Sequence, residues 1–189
     1  MYKIMTPGPT QVAENVRLAR SRECTNPDLD ESFVEFYKET CEEISRLLHT
    51  DNETLILGGE GILGLEAACA SMTEPGDRVL VLDNGIYGKG FADFVSMYGG
   101  CPELYSRDYR ETLDVQELEN FLKEHHNYKY ATVVHGDTPS GMLNDVCRDV
   151  HNNIPHFILS QNIFSMLALS GTPSLVSVPS NAAKTSRTL

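Results

Sequence analysis

Residues 55 to 70 read LILGGEGILGLEAACA, with Gly58, Gly59, Gly61 and Gly64 set between an apolar run and an alanine-rich run of helical spacing. A glycine-rich turn from strand to helix presents backbone N–H groups at the positive end of a helix dipole, which is the chemistry that holds a phosphate. Glycine also lets the backbone come close to the anion. The stretch lacks both G-x-G-x-x-G and a closing G-K-[ST], so neither nucleotide fingerprint applies. Taken alone, a glycine turn that packs a helix tightly on a sheet explains it equally well.

The elements that must position this turn follow from hydrophobic periodicity. Phe33, Phe36, Tyr37, Cys41, Ile44, Leu47 and Leu48 recur at three and four and predict an amphipathic helix over 31–48. Beyond it the pattern predicts strand 54–57, helix 62–72, strand 78–82, helix 88–98, a short strand near 103–105, helix 114–125 and strand 130–134. This alternation implies an α/β fold, a mostly parallel sheet with helices on both faces. The first thirty residues, with TPGPT at 6–10 and NPDLD at 26–30, read as irregular, the latter as a helix start. The expected divisions are an N-terminal arm and substrate-loop segment at 1–30, a large domain at 31–146 and a divergent tail at 147–189.

Fifteen Lys and Arg against 27 Asp and Glu leave a net charge of −12, which argues against nucleic acid or an anionic membrane as partner. Cys24, Cys41, Cys69, Cys101 and Cys147 contain no CxxC pair and read as thiols of a reducing cytosol, with no metal site. The start lacks the apolar core of a signal peptide and no run reaches the roughly 20 apolar residues of a membrane span, so a cytoplasmic protein is expected.

Four further stretches stand in order with the glycine turn: TPGPT, EPGDRVLV at 74–81, NGIYGKGFAD at 84–93 and HGDTPSG at 135–141. Together they resemble the class V aminotransferases, the alanine–glyoxylate and serine–pyruvate branch of the fold type I pyridoxal-phosphate enzymes, over residues 4 to about 146. The resemblance implies pyridoxal 5'-phosphate as cofactor and transfer of an amino group between a small amino acid and a 2-oxo acid such as glyoxylate or pyruvate, in a homodimer. It assigns the cofactor phosphate to the backbone of Glu60, Gly61 and Ile62. Tyr87 matches the aromatic residue stacked on the ring, Thr138 the hydroxyl residue near its phenolic oxygen, and Asp137 the acidic neighbour. Gly8 matches the loop over the substrate carboxylate. A core or interface tyrosine remains the alternative for Tyr87, as an ordinary proline turn does for TPGPT, and His135 reads as structural.

The pattern is departed from in two places. Where the family commonly has a small hydroxyl residue this chain has Glu60, whose carboxylate would repel a phosphate dianion. No residue matches the family's ring-nitrogen aspartate or its Schiff-base lysine: Asp149 is the last acidic residue, and Lys184 is the one lysine after Lys129 and sits in an unrelated context. The expectation is an incomplete large domain whose reading frame departs near Val146, or else a polar, partly disordered terminus. Two other functions stay open: a non-catalytic subunit pairing with a longer homologue, and an unrelated α/β module for a nucleotide or other phosphate.

Overall fold

The computed structural model describes residues 2–6, 8–23, 26–144, 157–160 and 165–167. The chain forms two compact units, Met1–Ile56 and Leu57–Leu189.

The first unit holds α1 (Glu14–Arg20) and α2 (Glu31–Leu47). α1 occupies a stretch expected to be irregular. Its ENVRLAR sequence mixes good helix formers with an Arg17–Glu14 pair at 3.3 Å one turn apart, which supports a short helix locally. α2 follows its predicted spacing. Its N-cap residue, Asp30, turns its carboxylate back to accept from the Asn26 N–H at 2.7 Å instead of capping the helix. Residues 54–57, expected to be a strand, form none. From α2 the Tyr37 hydroxyl accepts from the Ile56 N–H at 3.0 Å and donates to the Ile56 carbonyl at 3.3 Å. The backbone groups that a sheet neighbour would have taken are thereby satisfied.

The second unit runs α3 (Gly61–Met72), β1 (Arg78–Asp83), α4 (Ile86–Met97), β2 (Cys101–Ser106), α5 (Val115–Glu124) and β3 (Tyr130–Val134). A hairpin of β4 (Gly136–Asp137) and β5 (Met142–Leu143) follows, then β6 (Phe157–Ser160) and β7 (Ser165–Leu167). The sheet order is β2-β1-β3-β6-β7, parallel throughout except for β7. Strand β6 pairs with β3 from Ala131↔Phe157 to Val134↔Ser160, so part of the segment 147–189 extends the sheet. Lys184 lies outside the described residues.

Period-two alternation sorts the strand side chains between the two faces. Val79, Val81, Tyr130 and Val134 pack with Ala68 and Cys69 of α3 and Phe91 and Val95 of α4. Leu80, Leu82, Ala131 and Val133 pack with Leu118 of α5 and with Tyr105 and Leu113. Burial pushes the Cys69 thiol up to about 11, which leaves it an inert core residue. α5 is capped by Asp114, which accepts from the Glu117 N–H at 3.0 Å.

The outer strand β2 is fastened by Glu103. Its carboxylate takes Arg78 Nη2 at 2.6 Å and His125 Nδ1 at 2.5 Å, and His125 stacks on Phe121 of α5. Burial raises the Glu103 pKa, but the bonds from Arg78 and His125 outweigh it and hold the group below the usual glutamate range. A carboxyl with a depressed folded pKa stabilises the protein fully above its unfolded value, and the contribution is lost as pH falls through the folded value. Glu103→Gln is therefore expected to lower stability at pH 7 by about 1 kcal/mol and to flatten the acid limb of the stability curve, read as thermal midpoints from pH 7 down to 3.

Candidate functional site

β1 ends on Asp83, and the chain enters α4 at once through Asn84 and Gly85. Asn84 is buried, and its Nδ2 donates to the Val134 carbonyl at 2.8 Å. The same oxygen accepts from Asn144 Nδ2 at 3.0 Å. Asn144 also takes the Leu113 N–H on its Oδ1 at 3.2 Å and gives its own N–H to the His135 carbonyl at 2.7 Å. The end of β3, the entrance of α4, the far end of the hairpin and the approach to α5 are thus tied at one place.

Asp137 is 2% exposed at the start of this hairpin. Its Oδ2 accepts from the Ser140 N–H at 3.0 Å and from Ser140 Oγ at 2.7 Å, which closes the DTPSG turn. The carboxylate lies against Gly85, the N-cap residue of α4, where φ is +153° and an added Cβ would fall 2.6 Å from Asp137 Cγ. Only glycine allows that approach.

Beside this contact an open hollow of about 470 Å³ is lined by Ile86 of α4, by Tyr109 and Arg110 after β2, and by Asp137, Ser140 and Met142 of the hairpin. Tyr109 donates to Asp83 Oδ1 at 2.8 Å and Ser106 donates to Asp83 Oδ2 at 2.8 Å. The bond to Asp83, then burial, then the charges of Asp83 and Asp137 hold the Tyr109 hydroxyl above its ordinary pKa. Arg110 is engaged by Asp108 through two bonds, at 2.9 and 2.5 Å, and its guanidinium holds the Asp108 carboxyl down to about 2.

α3 and α4 pack on one face of the sheet, each joined to β1 by a short connection, so their first turns face the carboxyl ends of the strands. There the structure places Glu60 as the exposed N-cap residue of α3, with Gly61 and Ile62 opening its first turn. Tyr87 stands in the first turn of α4, 51% exposed, and Thr138 is half-buried in the hairpin turn. His135 serves through its carbonyl, in keeping with a structural reading. Gly8 belongs to the first unit, in an exposed turn where Thr6 Oγ1 donates to the Pro9 carbonyl at 2.6 Å. Asp83, Asn84, Tyr109, Arg110 and Asn144 join the site without having been singled out in the sequence. The available signal was DNG at 83–85, an acid and an amide at a strand end before a helix, which reads as mere turn punctuation.

No protein-family model matches the chain. Pyridoxamine–pyruvate transaminase of Mesorhizobium japonicum is 38% identical over 121 residues, 63% of this chain and 30% of the relative. 2-Aminoethylphosphonate–pyruvate transaminase of Phocaeicola vulgatus is 24% identical over 152 residues, 79% of this chain and 42% of the relative. The crystal structure of pyridoxamine–pyruvate aminotransferase from Mesorhizobium loti superposes with a TM-score of 0.74 at 31% identity, covering 84% of this chain and 41% of that one. The chain is similar to the class V aminotransferases. It spans 30% and 42% of the length of these two curated relatives, matching the N-terminal portion of the family. Family members are fold type I enzymes, and the parallel sheet with helices on both faces is the corresponding part of that fold.

The Gly85–Asp137 contact gives a direct test of this arrangement. Gly85→Ala is expected to cost about 2–4 kcal/mol, through a disallowed φ and an overpacked carboxylate, read as the urea midpoint against wild type.

Proposed function

We propose that the protein carrying this chain is a pyridoxal-phosphate-dependent cytoplasmic aminotransferase, moving an amino group between a small amino acid such as alanine or serine and a 2-oxo acid such as glyoxylate or pyruvate. The observation that carries this reading is the gathering of three motif segments, GGEGILG, NGIYGKG and HGDTPSG, at the carboxyl ends of one parallel sheet. Pyruvate is favoured as the 2-oxo acid, because both curated relatives described above are named for it.

The residues present fit the cofactor. The first turn of α3, at Gly61 and Ile62, offers the positive end of a helix dipole to its phosphate. Tyr87 keeps half its surface exposed and can lay its ring on the pyridine, while the Thr138 hydroxyl and the Asp137 carboxylate offer polar contacts to the ring substituents. Bound there, the cofactor supplies an electron sink for the amino acid's α-carbon. A second copy of the chain, or a longer homologue, is the proposed partner that would complete such a site.

A second reading concerns the form of the ring, and Glu60 favours it. As N-cap of α3 its side chain makes no capping bond, so a free carboxylate stands at the mouth of the turn. A carboxylate repels a phosphate dianion but accepts a hydrogen bond from a hydroxyl. Pyridoxamine, for which one relative is named, carries a hydroxymethyl group in place of the phosphate ester. On this reading the unphosphorylated ring is itself the amino donor.

Both readings are tested by titrating the protein with pyridoxal phosphate, pyridoxamine and a nucleoside monophosphate, following ring fluorescence or thermal protection. Glu60→Ser is expected to tighten pyridoxal phosphate by about five- to tenfold and to leave pyridoxamine unchanged or weaker. Protection by the nucleotide alone would replace the transaminase with an unrelated phosphate-binding module.

A further inference from the structure

Tyr87 stands between two glycines at the entrance of α4, and neither has room for a side chain. Gly85 lies against the Asp137 carboxylate, and its carbonyl accepts the Lys89 N–H at 2.9 Å. At Gly88 an added Cβ would meet Asn84 Oδ1 and would fall 2.7 Å from the Leu82 carbonyl oxygen, a backbone atom that cannot swing aside. Asn84 is itself held, since its Nδ2 donates to the Val134 carbonyl at 2.8 Å and its N–H to the Leu82 carbonyl at 3.1 Å. Its Oδ1 is buried, faces the bare Cα of Gly88 and has no hydrogen-bond partner among the described residues. A buried amide oxygen left unpaired is costly, so this close approach is maintained against a penalty. Further along α4, Phe91 and Val95 anchor the helix among Val79, Val81 and Tyr130. The first turn of α4 thus rests on the end of β1 through Gly88, which is buried, while Tyr87 beside it is 51% exposed.

We propose that Gly88, with the Asn84 amide against it, is a positioning residue that sets the height of the Tyr87 ring above the end of the sheet. The proposal rests on the transaminase reading above, in which Tyr87 carries the pyridine ring, and adds the contact that fixes that platform. Stacking is steep in distance, for a gap of about 0.5–1 Å forfeits a quarter to a half of the dispersion attraction. A Cβ placed 2.7 Å from a carbonyl oxygen can be relieved only by a shift of about that size. Gly90 is the contrast within the same helix, because a Cβ there would meet nothing within 4 Å.

The full chain is titrated with pyridoxal phosphate and with pyridoxamine, binding is read from ring fluorescence, and Gly88→Ala is combined with Tyr87→Leu in a double-mutant cycle. Gly88→Ala is expected to weaken ring binding about three- to tenfold when Tyr87 is present. In the Tyr87→Leu background the same change is expected to matter by no more than about twofold, since the ring it displaces is gone. Gly90→Ala is expected to leave ring binding within about twofold of wild type. Asn84→Ser removes both the Val134 bond and the oxygen that Gly88 faces, is expected to follow the pattern of Gly88→Ala, and decides the question where thermal unfolding shows Gly88→Ala not to fold. Unchanged ring binding in Gly88→Ala overturns the proposal. So do additive losses in the cycle, which would show a general structural role, and an equal loss in Gly90→Ala. These failures leave the transaminase reading standing, whereas binding of neither ring by wild type overturns both.

Discussion

The carbonyl oxygen of Val134 accepts from the buried side-chain amides of both Asn84, at 2.8 Å, and Asn144, at 3.0 Å. A strand that ends inside a protein leaves backbone groups to be satisfied, and two amides from opposite directions do so here. Because Asn84 stands at the entrance of α4 and Asn144 at the exit of the hairpin, one acceptor sets the spacing of the elements that carry Tyr87 and Thr138. The Gly85–Asp137 contact depends on that spacing, since the carboxylate can rest on the α4 entrance only if the two segments are held this close.

Charge around this point is arranged with little use of ion pairing. Asp83 and Asp137 are 4% and 2% exposed, and the side-chain bonds they receive come from hydroxyls and, for Asp137, a backbone N–H. The arginines nearby are spent elsewhere, Arg107 on Tyr105 and Glu117 and Arg110 on Asp108. Neutral donors stabilise a buried carboxylate without cancelling its charge, so the field at the hollow stays negative. At α3 the helix terminus is positive but is fronted by Glu60. The two ends of the site thus combine a dipole with a carboxylate, which moderates the attraction of each for an anion.

Hydrophobic periodicity made most of the second unit legible: α3 through β3 lie within two residues of their expected bounds because each buries a regular stripe or an alternating face. What escaped was decided by single side chains reaching across the chain. Residues 54–57 have the composition of a strand, yet the Tyr37 hydroxyl satisfies Ile56 from nineteen positions away. α1 was hidden by an unpatterned surface, for none of its residues is buried. The segments that carry Glu60, Tyr87, Asp137 and Thr138 stand out in the sequence as motifs, while Asp83, Asn84 and Asn144, whose bonds tie the ends of β1 and β3 to their surroundings, carry no periodic signal. Their roles come from hydrogen bonds between residues as much as 50 positions apart.

Strand order explains why the site forms where it does. From β1 the chain crosses outward to β2 and then returns past β1 to β3, so two successive crossovers run in opposite directions across the sheet. Right-handed crossovers of opposite direction place their helices on opposite faces, and α4 and α5 do pack on opposite faces. The loops leaving β1 and β2 therefore diverge at their carboxyl ends, one toward α4 and the other toward α5, and open a crevice there. Ile86 lines the hollow there from the start of α4, Tyr109 and Arg110 from beyond β2, and Asp137 from the hairpin after β3. Other residues could form the same sheet and still open the crevice. The chemistry available there depends on which side chains stand at those strand ends, and in this chain they include a shared amide clamp, a glycine and a carboxylate with one oxygen unpartnered among the described residues.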